Sequence, residues 1–376
     1  MLKEFIETHK QEIMNTWEDL HKIPELGREE VKTSAYLKEV LAKHGIAAQA
    51  ITPTGFIAEV DSGKPGLTVG LRADMDALPY KDEQGKLYCV HACGHDAHMT
   101  MGLWTLIALK ELGLVKSGKV RGLFQPSEEK DNGAMDMVEG GAAKGLDELY
   151  GVHIRPIQEL RYGQASPALL HGARYEAKIT VHGKEAHGAR PHLGANAIDA
   201  AALIIMAINA IWLNPVESWS CKAVKISGGS LATNIIPNEA EILLDIRCAN
   251  NPLVKELMTR LATAVKGAAA SVGCTADLEE VSGGPAADYD PEAVEHLRQA
   301  IVSVIGEENT VGPIVTSGSD DFHCYRYMDP NLKTAFLALG TDAAPGLHDV
   351  HMAFKHEAMY TGIEILATCL AGRVGE

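Results

Sequence analysis

The chain has 376 residues, which is long for a single hydrophobic core and indicates about two domains. Hydrophobic residues make up 46% of it and charged residues 22%, the balance of an ordinary globular protein. The formal net charge is −16 and no basic run offsets it, so neither nucleic acid nor an anionic membrane is an expected partner.

The sequence predicts neither membrane insertion nor export. No stretch reaches about 18 apolar residues without polar breaks, and residues 1–13, MLKEFIETHKQEI, lack the pattern of a signal peptide. The seven cysteines are odd in number and scattered, which favours reduced thiols over a disulfide framework. We therefore expect a cytoplasmic protein.

The apolar residues of 1–43 have helical spacing, with a break at 24-PELG-27. Alternating strands and helices follow in chain order. The strand-like runs are 55–60, 67–75, 119–126, 149–154 and 334–340, and the helix-like segments are 97–113, 133–144, 291–305 and 356–371. Near-continuous apolar strands that alternate with helices are typical of a mostly parallel sheet covered on both faces.

The middle of the chain has a different order of elements. A strand from 174 is followed by a helix (195–213), two strands (220–227 and 236–248), a helix (252–272) and a strand (275–281). This β-α-β-β-α-β order is that of a ferredoxin-like unit. We therefore predict an α/β fold with a mixed, mostly parallel sheet between helices, in which a larger, discontinuous domain (1–172 and 285–376) is interrupted by a smaller α+β domain (173–284).

Coordinating side chains concentrate in 91-HACGHDAHM-99, just before an apolar helical run. A structural zinc site usually shows paired motifs, and no C-x₂-C or second Cys/His pair is present. A helix N-terminus, expected near Asp96, would stabilise a thiolate at Cys93, either as a nucleophile with His95 close by or as a metal ligand. For His91 and His98 we favour ordinary hydrogen bonding in the core.

Further candidate ligands follow the predicted strands, where open α/β sheets place their sites. They are Asp74 and Asp76 after 67–75, Glu128 and Glu129 after 119–126, His153 in 149–154, and 347-LHDVH-351 after 334–340. This abundance of carboxylates on one rim favours a metal centre over a thiol nucleophile. Glu128 and Glu129 are adjacent and point in different directions, so one can bind metal while the other acts as a general base; the alternative is a solvated surface pair.

These motifs resemble the co-catalytic metallopeptidase family of aminoacylase and carboxypeptidase G, above all its branch of N-acyl-amino-acid and auxin-conjugate amidohydrolases. The resemblance covers nearly the whole chain through LHKIPELG (20–27), RADMDALP (72–79), HACGHDAHM (91–99), FQPSEE (124–129) and GVH (151–153). The stretches 151–159 and 185–194 look most like AmhX-type bacterial amidohydrolases. The resemblance implies an α/β catalytic domain with an inserted lid that forms dimers.

The resemblance also implies two divalent metal ions per subunit, of zinc, manganese, nickel or cobalt. Their ligands would be Cys93, shared by both ions, together with His95, Glu129, His153 and His348. Glu128 would be the general base. Asp74 stands where related peptidases carry a metal-binding histidine and is expected near the site but not as a ligand, and His351 is the alternative to His348.

Three residues of the insertion acquire roles from the same resemblance. His187, in 183-GKEAHGARPH-192, would reach across a dimer to polarise the scissile carbonyl, and Asn234 and Arg247 would hold the substrate carboxylate. The ordinary alternatives are a solvated histidine, a turn cap and a structural ion pair. The sequence departs from the family pattern at Glu185-Ala186, Arg190 and Ser127, so acyl and amino-acid preferences do not transfer.

The predicted function is metal-dependent hydrolysis of the amide bond of N-acyl amino acids or related small-molecule conjugates. The alternatives are a dipeptidase or aminopeptidase, which needs an acidic pocket for a free amine, and a non-catalytic metal-binding homologue, which is expected to have lost a ligand or Glu128. The segment 195–213 is apolar almost all round, which predicts a homodimer through the lids unless the catalytic domain covers it.

Overall fold

The structure is a computed structural model that describes residues 1–130 and 132–375. Its α-helices are α1 Leu2–His21, α2 Val31–Lys43, α3 His95–Glu111, α4 Gly133–Glu139, α5 Ala197–Asn209, α6 Asn251–Ala270, α7 Pro291–Ile305, α8 His323–Met328 and α9 Ala358–Val374. Its strands are β1 Ala48–Ala50, β2 Phe56–Asp61, β3 Thr68–Asp74, β4 Leu78–Lys81, β5 Leu87–Val90, β6 Lys119–Gln125, β7 Glu148–Pro156, β8 Ala165–Ser166, β9 Leu169–His171, β10 Ala173–His182, β11 Ala186–His187, β12 Trp219–Gly228, β13 Ile235–Ile236, β14 Glu239–Cys248, β15 Thr275–Gly284, β16 Ile314–Thr316 and β17 Lys333–Ala343.

The chain divides into two compact units. The first unit comprises 1–170, 288–316 and 320–376, and the second comprises 171–287 with 317–319. The insertion predicted from the sequence, 173–284, begins two residues later and ends three residues earlier than the main segment of the second unit. Its role as a lid remains a prediction.

The first unit is built on a seven-stranded sheet in the order β1-β2-β6-β3-β7-β17-β8. The four central strands β6, β3, β7 and β17 are parallel, whereas the outer pairs are antiparallel. One apolar cluster packs α1, α3 and α9 with sheet residues such as Leu71, and another packs α4 and α8 with residues such as Leu123. The predicted mixed α/β fold, with helices on both faces, is confirmed.

The second unit is a four-stranded antiparallel sheet in the order β12-β14-β10-β15, packed against α5 and α6. Its chain order, β10-α5-β12-β14-α6-β15, is the predicted ferredoxin-like one. Buried and partly exposed residues alternate along β10 and β14, because one sheet face carries the helices. No helix within 1–130 and 132–375 is long and apolar enough to span a bilayer.

Several predicted boundaries were wrong, for local reasons. The predicted helix 133–144 ends at Glu139, where a glycine pair follows and Gly141 adopts a left-handed φ of +89°. The predicted strand 236–248 begins at Glu239, because Pro237 has no N–H to donate and Ile235–Ile236 pairs with β11 instead. The predicted helix 195–213 ends at Asn209, ahead of Pro215.

Candidate metal centre

The candidate ligands of the first unit lie towards the carboxyl ends of its parallel strands. Asp74 ends β3, the Glu128–Glu129 pair follows β6, and His348 follows β17. His153 lies inside β7, opposite Ala338 of β17, and β7 continues to Pro156, two residues beyond the predicted end at 154. Four neighbouring strands therefore deliver these side chains to one edge of the sheet.

A tight turn brings Cys93 and His95 together. A helix N-terminus was expected near Asp96, but α3 begins at His95, and Gly94 precedes it with a φ of +85°. A side chain at Gly94 is excluded, since a Cβ atom there would lie 2.3 Å from Ile154 Cδ1. The left-handed glycine, rather than an extended strand, turns both donor groups to the same side.

The five predicted ligands converge in this arrangement. Cys93 belongs to two groups of donors whose ligand atoms lie within 4.8 Å of one another, one with His95 and His153 and one with Glu129 and His348. Cys93 Sγ lies 3.4 Å from His153 Nε2, and Glu129 Oε1 lies 3.1 Å from His348 Nε2. Donors bound tetrahedrally to one zinc ion stand about 3.3–3.8 Å apart. The Cys93–His153 separation lies within this range, and the Glu129–His348 separation lies just below it.

Hydrogen bonds fix the imidazole of His153 and explain why His98 is not a convincing ligand. His153 Nδ1 lies 2.6 Å from the carbonyl oxygen of Ile154, to which it donates, leaving Nε2 free to face Cys93. His98 Nδ1 donates to Asp74 Oδ1 at 2.7 Å, and its Nε2 accepts the N–H of Ile154 at 2.9 Å. Both nitrogens of His98 are therefore occupied, as expected for a core histidine.

His95 is the opposite case. It is buried, and neither ring nitrogen has a hydrogen-bond partner in the part of the chain that the structure describes. Nδ1 lies 3.3 Å from Asp76 Oδ1 without being aligned for a hydrogen bond, and Nε2 lies 3.9 Å from Glu129 Oε1. Burial opposes charge on this ring, but the carboxylates of Asp74 and Asp76 outweigh it and raise the pKa of His95 well above its usual range.

Hydrogen bonds to buried carboxylates hold the main chain of the glutamate pair, and the sequence did not predict them. Three successive peptide N–H groups donate to buried carboxylates: Ser127 N to Glu30 Oε1 at 2.9 Å, and Glu128 N and Glu129 N to the two oxygens of Asp76 at 3.0 and 2.9 Å. Ser127 adopts a left-handed φ of +57°, which turns the chain after β6. The conformation of this turn, and not strand alternation alone, sets the directions of the two carboxylates.

The predicted residues of the second unit lie in two places within it. His187 is in β11, opposite Ile235, and Gly188 N donates to Asn234 O at 2.7 Å, so His187 and Asn234 share one corner. Arg247 lies on β14 with its Nε 3.2 Å from Asp245 Oδ2. Its side chain is partly exposed, and this contact matches the ion-pair alternative that the sequence left open.

Comparison with known proteins places this chain in a family. The sequence profile of Peptidase family M20/M25/M40 matches residues 70–372. The chain belongs to that family. N-acetyl-L-cysteine deacetylase of Bacillus subtilis (strain 168) is 30% identical over 92% of this chain and 83% of its own length. N-acetyldiaminopimelate deacetylase of Streptococcus pneumoniae serotype 19F is 29% identical over 97% of this chain and 100% of its own.

A solved structure supports the fold of this M20/M25/M40 family member. A dinuclear metal-binding M20 peptidase of Bacillus subtilis superimposes with a TM-score of 0.82 and 24% identity, covering 98% of this chain and 99% of its own. The family resemblance inferred from the sequence motifs is confirmed. The finer likeness to AmhX-type amidohydrolases stays a prediction.

A buried guanidinium, also missed from the sequence, lies beneath the metal centre of this M20/M25/M40 family member. Arg72 has no exposed side-chain surface and donates to Asp74 Oδ2 at 2.5 Å, to Asp321 Oδ1 at 2.7 Å and to Gln125 Oε1 at 2.9 Å. Its Nη2 also lies 3.2 Å from Asp320 Oδ1. The adjacent acids in 317-SGSDDF-322 were the one feature of the sequence that could have indicated partners for Arg72, and they follow no predicted strand.

The same acids surround the candidate base. Glu128 and the Asp320–Asp321 pair form a group whose oxygens lie within 4.8 Å of one another. Burial, together with the carboxylates of Asp320, Glu129 and Asp321, raises the pKa of Glu128 well above its usual range. Perturbation of this kind is common at functional sites, where a carboxyl group must exchange a proton.

Two other histidines that the sequence analysis considered, His91 and His351, have no assigned role in the candidate metal centre. His91 is buried, but neither of its nitrogens has a hydrogen-bond partner among residues 1–130 and 132–375, so the expected core hydrogen bond was wrong. Burial lowers the pKa of His91 to about 4, which keeps the ring neutral and limits the cost of that position. His351 is exposed and belongs to none of the donor groups of the described chain, whereas His348 belongs to one.

The residues present fit a divalent metal centre. Both nitrogens of His95 are buried without hydrogen-bond partners in the described chain, a costly state that a bound cation relieves. Glu129 Oε1 is also buried, and it forms an ion pair with His348 Nε2 at 3.1 Å. Contacts with Cys93 and Glu129 raise the pKa of His348 to about 10, so a metal ion bound there would displace a proton from the ring. A mixed sulfur, nitrogen and oxygen donor set suits zinc and also admits manganese, nickel or cobalt.

We predict that Arg72→Met lowers the free energy of unfolding by about 3–5 kcal/mol, because it leaves buried carboxylates without their cation. Urea unfolding followed by tryptophan fluorescence measures this loss. The matched control is Arg28→Met, which removes the ion pair of an exposed arginine with Asp136 and should cost less than about 1 kcal/mol. Equal effects of the two substitutions would contradict a special role for burial.

Proposed function

We propose that the protein hydrolyses the amide bond of N-acyl amino acids or related amide conjugates with the help of two divalent metal ions. The observation that carries the proposal is the convergence of two donor groups on Cys93, beside a glutamate that belongs to neither group, in a member of Peptidase family M20/M25/M40. Two relatives named as deacetylases of N-acetylated amino acids support this substrate class.

We assign Cys93 as the ligand shared by both ions. His95 and His153 would complete one side and Glu129 and His348 the other, following the two donor groups. When bound, the ions would acidify a water molecule and stabilise negative charge on the substrate oxygen. Asp76 supports both sides at once, because it accepts the N–H of Glu129 and lies beside His95.

Glu128 is the proposed general base. Its Oε2 lies 4.0 Å from His95 Nε2, so it borders the ligands, while its main chain is fixed by Asp76. In this role Glu128 accepts a proton from the attacking water and returns it to the nitrogen of the departing amine. Burial and the carboxylates around Glu128 raise its pKa, so its ionised form is a stronger proton acceptor in the first of these steps.

His187 is proposed as a hydrogen-bond donor to the substrate carbonyl. The N–H of Ala189 donates to His187 Nδ1 at 3.0 Å, so in the neutral ring the proton resides on Nε2. Nε2 can therefore donate to an oxyanion without the ring being charged. Asn234 and Arg247 are proposed to bind the substrate carboxylate. To do so, the guanidinium of Arg247 must contact both Asp245 and the substrate.

A homodimer through the second units is part of the proposal. β12 is an edge strand of its sheet, and large apolar side chains are exposed on it and around α5, among them Val224 (66%), Met206 (69%) and Trp212 (79%). Exposed apolar side chains next to an unpaired strand edge support an isologous interface.

The cysteines of the described chain are all free and six are buried, which supports our assignment to the reducing cytoplasm.

The decisive experiment is a substrate panel. Full-length protein stripped by a chelator is reloaded with Zn²⁺, Mn²⁺, Ni²⁺ or Co²⁺ and assayed on N-acyl amino acids, on the same amino acids as dipeptides, and on aminopeptidase substrates. We expect metal-dependent release of amino acid from the acylated substrates. Cleavage of dipeptides alone would favour the dipeptidase alternative, and no hydrolysis with metal bound would favour a non-catalytic homologue.

We predict that Glu128→Gln retains two metal ions but loses at least about 100-fold in kcat, since a general base contributes about 10²–10⁴-fold. Glu129→Gln is the matched comparison, and it should lower the metal content. Metal analysis and steady-state kinetics on both variants distinguish the roles. Turnover near the wild-type value in Glu128→Gln would rule out this base.

Cys93→Ser should lose metal and activity together, because serine is a poor replacement for a thiolate ligand. Activity alone does not separate a ligand from a nucleophile, so bound metal is measured by mass spectrometry of the native protein. Cys324→Ser, another buried cysteine of the first unit, is the control and should keep its metal. A fully loaded but inactive Cys93→Ser protein would instead support the nucleophile.

Mixing inactive Glu128→Gln and His187→Ala chains should restore activity, because one site of each heterodimer regains both groups. Random exchange makes half of the dimers mixed, so about a quarter of all sites should recover. Native mass spectrometry verifies the exchange, and mixing Glu128→Gln with Cys93→Ser, which both alter the first unit, is the negative control. Verified exchange without recovery would show that His187 does not act across a dimer.

A further inference from the structure

His348 needs more positioning than the other proposed ligands. It lies in the loop that follows β17, its side chain is 55% exposed, and its backbone adopts a left-handed φ of +66°. Residues other than glycine rarely take this conformation, and neighbouring contacts must maintain it. By contrast, the buried Cys93, His95 and His153 lie on or beside regular elements of the core.

Hydrogen bonds hold the main chain of His348 on both sides. Its N–H donates to the carbonyl oxygen of Ala92 at 2.8 Å, and its own carbonyl oxygen accepts the hydroxyl of Tyr80 at 2.7 Å. Ala92 is adjacent to Cys93, so the first contact ties the loop to the segment that carries other proposed ligands. The second contact comes from β4, in the short antiparallel pair β4–β5.

We propose that Tyr80 is a positioning residue, whose hydroxyl orients His348 for metal binding. With its carbonyl held by Tyr80, His348 places Nε2 3.1 Å from Glu129 Oε1, in the donor group that also contains Cys93. Tyr80 binds no reacting atom in this role; it limits the rotation of the His348 backbone, so that less conformational freedom is lost when metal binds. The inference rests on the proposed function, in which His348 is a ligand.

The chain offers a closely matched control. Tyr88 lies directly opposite Tyr80 in the β4–β5 register, with 6.1 Å between the ring centroids. Tyr88→Phe therefore removes a hydroxyl from the same hairpin without touching the His348 carbonyl. Tyr80→Phe removes only the oxygen that donates to His348 and leaves the aromatic ring to pack as before.

The test measures Zn²⁺ affinity in the full-length protein by competition with a chromophoric chelator. Tyr80→Phe should weaken the binding of one of the two ions by about tenfold, the lower end of the effect of outer-sphere partners, whereas Tyr88→Phe should match the wild type. In a His348→Ala background, Tyr80→Phe should cause no further loss. The visible spectrum of the cobalt-loaded protein should change in Tyr80→Phe and stay unchanged in Tyr88→Phe, and thermal unfolding identifies any variant that is misfolded.

The outcomes separate the inference from the proposed function. If His348→Ala weakens binding but Tyr80→Phe changes neither the affinity nor the cobalt spectrum, the positioning role is refuted and the ligand assignment stands. If His348→Ala leaves both ions bound as in the wild type, the ligand assignment fails and the inference fails with it. If Tyr80→Phe weakens binding equally with and without His348, Tyr80 acts by another route and the inference is overturned.

Discussion

The buried guanidinium of Arg72 is the contact on which the candidate metal centre depends. It lies in β3 and joins Asp74, Asp321 and Gln125, so it links two parallel strands to the segment before α8. Without a cation in this position, carboxylates of low exposure would repel one another in a medium that screens charge poorly. Through Asp74 the same network reaches His98 and, by way of the Ile154 N–H, the β7 segment that carries His153.

Different charged side chains therefore support different parts of the candidate site. The positive charge of Arg72 offsets the buried carboxylates of Asp74 and Asp321. Asp76 accepts hydrogen bonds from the main-chain N–H groups of Glu128 and Glu129, one on each of its two oxygens. The ring nitrogen Nε2 of His95, which has no hydrogen-bond partner in the described chain, lies 3.9 Å from Glu129 Oε1. Hydrogen bonds that fix the main chain of the glutamate pair, beside a ring with unpartnered nitrogens, fit the candidate cation site.

The sequence predicted the fold class and family because periodicity and motif order are local signals. The exceptions were contacts between residues far apart in the chain: Arg72 with Asp321, and Ser127 with Glu30. Nothing in the local pattern around these residues indicates such partners. The turn at Gly94 was also missed: Gly94 adopts a left-handed φ of +85°, and a Cβ atom there would lie 2.3 Å from the side chain of Ile154, a residue 60 positions further along the chain.

The strand order of the central sheet has a consequence for synthesis on the ribosome. β17 pairs with both β7 and β8, yet it follows them only after the whole second unit has been translated. The second unit is nearly continuous in sequence, so it can form its own sheet while the first unit still lacks β17. Until then β7 presents an open, apolar edge, a hazard for association between nascent chains that folding of the last segment removes.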